Sequence, residues 1–153
     1  MSEALAPPFM VASLLLCTAG VMKFRSFPAL GVGELALGAA CVVYPTRVLA
    51  VALALVYMSF AVVAEVFRRR RQACGCFGEN DDFPVTLAHV IASELLGTLA
   101  VAAAIAGPRG LGWMLGLPAP QAVVLLAGIA GAVYAIVLVY TVVPRAWAAW
   151  SAG

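Results

Sequence analysis

Long apolar runs separated by short polar breaks set the pattern of this chain. The first goes from about Pro8 to Met22 and stops at Lys23-Phe24-Arg25, whose cations suit a membrane interface. The second, Pro28 to about Tyr44, is short and glycine-rich, holds Glu34, and ends at Pro45-Thr46-Arg47. A third goes from about Val48 to Phe67 and is cut off by the four arginines Arg68 to Arg71. The polar stretch Gln72 to Phe83 follows, and Pro84 next to its acids suits the first turn of a fourth helix that continues to about Ala106. A Gly/Pro-rich connector, Gly107 to Pro120, precedes the fifth run, Gln121 to Val143, which Pro144 ends before Trp147 and Trp150. A helical crossing of a bilayer takes about 20 apolar residues. The pattern therefore predicts an all-α, polytopic membrane bundle of about five helices forming one integral membrane domain over residues 1–153, or four spans if the second run is re-entrant.

The N-terminus, Met1 to Pro7, carries no positive side chain, and the Cys17-Thr18-Ala19-Gly20 stretch lacks an Ala-x-Ala pattern. The first run accordingly reads as a mature helix, neither a cleaved signal nor a lipobox. Composition agrees with the pattern. The chain has 153 residues, 65% hydrophobic and 10% charged, with mean hydropathy +1.06, whereas soluble domains are roughly 45–50% apolar and 25% charged. That excludes a water-soluble fold and leaves lipid as the solvent. A net charge of +2 gives no reason to expect a nucleic-acid partner.

Basic residues are unevenly divided. With five spans, Lys23, Arg25, Arg68, Arg69, Arg70, Arg71 and Arg145 share one side of the membrane, and Arg47 and Arg109 lie on the other. The positive-inside rule puts the first group, and the Gln72 to Phe83 loop with it, in the cytoplasm.

An ionisable group within a span costs about 2.5–3.5 kcal/mol on insertion scales, which makes each a candidate for function. Glu34, His89 and Glu94 are such groups, while Glu65 is spaced to pair with Arg68 and Arg69 near the surface. Counted from the basic side, Glu34 and His89 lie within about two turns of the surface and Glu94 approaches the midplane. Lys23, Arg25, Glu34 and Glu94 thus make a candidate polar pocket at one end of the bundle. Gly31, Glu34, Gly38 and Cys41 recur at steps of three and four on the second helix, and Thr86, His89, Ser93 and Gly97 do so on the fourth. These stripes are expected to face one another, with Glu34 near His89 or paired with Lys23 or Arg25. A structural ion pair between the first two helices explains the same charges, and a hydrogen-bonded interfacial role explains His89 as well as a proton-carrying one does.

The sharpest chemical signal is Cys74-Gly75-Cys76-Phe77-Gly78, followed by Glu79, Asp81 and Asp82. Two thiols one residue apart, with a glycine between them, can close a small, strained disulfide. Such bonds are oxidising and exchange readily, which suits a dithiol/disulfide relay. The four preceding arginines favour thiolate, partly offset by the acids. A partner thiolate would attack the Cys74–Cys76 disulfide, and the second thiol would resolve the mixed disulfide. Copper or zinc handling is the rival, with the two thiolates needing His89 or an outside group to complete a tetrahedral site. An inert or purely structural pair is a further alternative, as is a non-catalytic subunit of a larger membrane complex. Cys17 and Cys41 fit as small packing residues; Cys17, in the same half of the membrane as the loop, is also placed to act as a resolving thiol.

The order of Lys23-Phe24-Arg25, Gly33-Glu34-Leu35-Ala36-Leu37-Gly38, Cys74-Gly75-Cys76-Phe77-Gly78 and Pro84-Val85 resembles the methylamine-utilisation MauE family within the DoxX-like membrane proteins, over about residues 8 to 106. The resemblance implies a DoxX-like four-helix core in a bacterial plasma (inner) membrane, a redox association that suits a redox-active disulfide at Cys74 and Cys76, and a thioredoxin-like protein as partner; a cytoplasmic loop would equally suit a low-molecular-weight thiol. Related four-helix thiol oxidoreductases place a C-x-x-C pair beside a quinone; this chain has no C-x-x-C, so a quinone is not implied. A periplasmic role for that family would put Cys74 and Cys76 outside, whereas the arginine tally puts them inside.

Overall fold

The computed structural model describes residues 2–71, 85–142 and 150. Among them the chain forms six helices: α1 (Ser2–Lys23), α2 (Pro28–Val43), α3 (Arg47–Arg70), α4 (Leu87–Ala106), α5 (Leu111–Leu115) and α6 (Ala119–Thr141). Four, over Glu3–Lys23, Arg47–Arg70, Leu87–Ala106 and Ala119–Thr141, are long and apolar enough to cross a membrane. With 16 residues, α2 is about 24 Å long, short of a bilayer core of about 30 Å.

Local chemistry sets the boundaries. α1 begins well before Pro8, because Pro7 and Pro8 fall early in the helix and deprive only the carbonyls of Glu3 and Ala4 of their helical donors. Pro28 opens α2 at its first position, where its missing N–H is no loss. Pro45 disfavours helical geometry at Tyr44, which has φ −125° and ψ 69°. Thr46 then caps α3, its hydroxyl accepting from Leu49 N at 3.2 Å. That helix ends in a left-handed Arg71, φ 53°, and α4 gives way at Gly107, φ 88°.

α1 packs mainly on α2, and α3 on α4. The four together enclose a core that includes Phe9, Leu16, Cys41, Leu53, Tyr57 and Ala100. α6 lies against α1, where Met10, Met114 and Ile129 form a second cluster with α5 at its edge. Most of α6 faces outward. The helices run back and forth between two ends. At one, Arg109 lies 3.7 Å from Glu3 and Gly110 abuts Val42 and Pro45. At the other, Lys23, His89 and Tyr140 line one cavity.

The stripe on α2 does not face α4. A Cβ on Gly31 would lie 2.6 Å from the Gly20 carbonyl oxygen, and one on Gly38 the same distance from Ser13 O and Cys17 Sγ, so the small residues of α2 mesh with Ser13, Cys17 and Gly20 of α1. Small side chains let two backbones approach closely, and the nearest neighbour joined by a short turn takes that contact. Gly97, from the α4 stripe, meets Met58 of α3 instead.

Candidate functional site

The close approach of α1 and α2 builds the polar centre. Helical side chains lean toward their own N-terminus. In this antiparallel pair Lys23, at the end of α1, therefore leans back into the bundle, and Glu34 leans up toward the connecting turn. They meet: Lys23 Nζ donates to Glu34 Oε1 at 2.6 Å, with side chains only 5% and 3% exposed. Lys23 Nζ also sits 4.7 Å above the centre of the Phe60 ring, a cation–π contact that helps hold the ammonium where water is scarce. Phe60 is braced edge-on by Tyr57, with ring centres 6.0 Å apart, and Tyr57 Oη donates to Ala12 O at 2.6 Å. Among the described residues, Glu34 Oε2 is buried with no hydrogen-bond partner.

Lys23 forms one wall of a cavity of about 60 Å³ between α1, α3, α4 and α6, shared with Tyr57, Phe60, His89, Ser93 and Tyr140. That volume holds a few waters. His89 stands at the entrance of α4. The Thr86 backbone N–H donates to His89 Nδ1 at 3.3 Å, and Thr86 Oγ1 lies 2.9 Å from the same nitrogen. Since a backbone N–H can only donate, Nδ1 is the acceptor and the neutral ring carries its proton on Nε2. Its ring lies 4.6 Å from that of Tyr140.

Of the residues singled out in the sequence, Lys23 and Glu34 are in contact, and Lys23 and His89 line the same cavity. Arg25 is exposed in the turn between α1 and α2. Glu94 is exposed on the outer face of α4, in a groove against α3 that Glu65, Arg68 and Arg69 also line. Glu65 pairs with both of those arginines at 2.7 Å, as their spacing predicts. Cys17 and Cys41 are free thiols in contact with backbone carbonyls, Cys17 Sγ 3.8 Å from Leu35 O and Cys41 Sγ 3.6 Å from Leu49 O. Among the described residues no three His, Cys, Asp or Glu side chains gather as a metal site would require. Cys74 and Cys76, with Glu79, Asp81, Asp82 and Pro84, lie outside the described residues, as does Pro144. The segment that holds the two thiols leaves the described chain at Arg71 and rejoins it at Val85, which is buried against Ala64 and Val90.

Phe60, Tyr57 and Tyr140 were not legible as parts of this centre. Tyr57 and Phe60 stand three residues apart on α3 and Tyr140 is near the end of α6. An aromatic pair at helical spacing ordinarily marks core, and only the approach of Lys23 gives this one a second role.

The family model for the methylamine utilisation protein MauE matches residues 26–107, from the turn before α2 to the end of α4. The match takes in Glu34, Cys74, Cys76, His89 and Glu94, and begins after Lys23 and Arg25. Neither the curated proteins nor the solved structures compared with the chain gave a match.

Proposed function

The chain belongs to the methylamine utilisation protein MauE family, and from that premise we propose that this multi-pass membrane protein performs thiol/disulfide exchange through Cys74 and Cys76. The partner is a thioredoxin-like protein or a low-molecular-weight thiol. One observation carries the reading. The segment holding both thiols departs from α3 and returns to α4 at the end of the bundle where Lys23, Glu34, His89 and Tyr140 gather.

In one direction, the thiolate of one cysteine attacks a partner disulfide, and the partner's leaving sulfur takes a proton. The other cysteine then attacks the mixed disulfide, which frees the partner as a dithiol and closes the Cys74–Cys76 bond. Two electrons and two protons have passed to the partner, and a second partner of the dithiol class returns them by the reverse steps. Arg68, Arg69, Arg70 and Arg71, immediately before the pair, favour the attacking thiolate. His89, held at Nδ1 by the Thr86 backbone N–H, gives or takes the proton through its imidazole. Lys23, Glu34 and Arg25 keep this end of the bundle polar. The arginine tally supports a cytoplasmic-facing loop in a bacterial plasma membrane.

Single Cys74→Ser and Cys76→Ser variants of the detergent-purified protein test the reading, with a reduced or oxidised thioredoxin-like protein as probe. Both variants should lose turnover, and one should accumulate the mixed disulfide on a non-reducing gel. Exchange by both variants at the wild-type rate overturns it.

A further inference from the structure

Outside the cavity, a groove of about 620 Å³ lies between α3 and α4, within the range of small-molecule sites. Val62 and Val66 of α3 and Leu87 and Ile91 of α4 line it. All four are exposed, so the groove opens toward the lipid. Its lining also holds four charged side chains, Glu65, Arg68, Arg69 and Glu94.

These charges divide into two ends. Toward the membrane surface, Arg68 donates to both oxygens of Glu65, at 2.7 and 2.8 Å, and Arg69 Nε adds a third bond at 2.7 Å. One carboxylate against two guanidiniums leaves this end with one positive charge in excess. Arg69 engages Glu65 through Nε alone, and its side chain is 76% exposed, so the end of its fork is open to a second oxyanion.

Glu94 makes the other end. It is exposed and forms no ion pair among the described residues. Gly97 lies against Met58 and Val90 beside Ala64, which sets Glu94 about one turn deeper in the membrane than Glu65. Helical side chains lean toward their own N-terminus, so in this antiparallel pair Glu94 leans toward the surface and the arginines lean inward. A carboxylate at that depth calls for a cationic donor, and the groove is where one can reach it.

We propose that this groove binds a bilayer phospholipid whose head group carries a primary ammonium, the phosphatidylethanolamine class. Its phosphate sits on Arg68 and Arg69, its ammonium donates to Glu94, and an acyl chain lies along Met58 and Val62. The order of charge selects this head: one excess positive charge and one negative charge in the same groove match a phosphate and an ammonium joined by a two-carbon link. A phosphoglycerol head leaves Glu94 unpaired. A choline head has the charge but no N–H to donate to the carboxylate. The site stands independently of the thiol chemistry.

The test titrates the full chain, stripped of lipid in detergent, with ethanolamine, choline and glycerol phospholipids of identical acyl chains. Native mass spectrometry reads binding, and the rise in unfolding temperature checks it. The ethanolamine lipid should bind about tenfold more tightly than either of the others, the ratio one charge-assisted hydrogen bond supplies. Glu94→Gln should bring it down to the choline level, and Arg69→Gln should weaken all three; the unfolding temperatures without lipid show that both variants are folded. Binding of the ethanolamine lipid no tighter than that of the choline or the glycerol lipid overturns the proposal. An ethanolamine preference that survives in Glu94→Gln does so as well.

Discussion

Lys23 and Glu34 share a 2.6 Å hydrogen bond across the interface of α1 and α2, both side chains almost wholly buried. Glycine contacts one turn away bring the two backbones close enough for that bond, and the aromatic face of Phe60 covers the cation. Removing one partner strands the other charge in a low-dielectric site, which typically costs about 3–5 kcal/mol, whereas replacing both with apolar groups is often neutral. Lys23→Met and Glu34→Leu should each lower the unfolding temperature in detergent substantially. The double variant should recover most of the loss.

Glycines on α2 should separate by environment. Gly31→Ala and Gly38→Ala place a methyl 2.6 Å from backbone oxygens of α1, and overpacking of this kind costs about 1–3 kcal/mol. Gly33→Ala meets nothing and should be neutral or stabilising by up to about 1 kcal/mol. Thermal unfolding of the three variants in one detergent ranks them directly.

Much of this was legible in the sequence, and the limit has a physical cause. Hydropathy located the runs that became α1, α2, α3, α4 and α6, because lipid tolerates little else. The spacing of Gly31, Glu34, Gly38 and Cys41 marked one face of α2, and the charges of Lys23 and Glu34 required partners. Periodicity tells which residues share a face but not which helix covers it, and so the stripe on α2, expected against α4, meshes with α1 instead. The short helix α5 inside the Gly/Pro-rich connector left no periodic signal at five residues. Glu94 looked like part of the polar pocket because depth can be counted along a chain; its outward direction depends on how α4 rotates against α3.

Two roles for His89 separate by substitution. Glutamine at this third helical position can still accept from the Thr86 backbone N–H, as in a capping box, but cannot shuttle a proton. His89→Gln should therefore keep the unfolding temperature and slow thiol exchange, while His89→Ala should lose both the rate and about 1 kcal/mol of stability. A wild-type exchange rate in His89→Gln removes the proton role and leaves the cap.

Glu94 is a carboxylate on the exposed face of a membrane-length helix, a position that insertion scales penalise by about 2.5–3.5 kcal/mol for an acidic residue. Glu94→Leu should raise the unfolding temperature in detergent and increase the inserted fraction in a membrane-integration assay. A drop in both would mean that the carboxylate has a stabilising partner in the assembled membrane.

The central claim is that Cys74 and Cys76 form an exchangeable redox pair, and its most direct test is the equilibrium between dithiol and disulfide in a series of redox buffers. Mass spectrometry of the alkylated, purified protein reads the fraction of each form. The account predicts a reversible two-electron transition for the Cys74–Cys76 pair at a potential more oxidising than about −300 mV, below which structural disulfides typically lie. If no bond forms between Cys74 and Cys76 across the series, or if it forms and stays closed in the most reducing buffers, the thiol-exchange account is wrong.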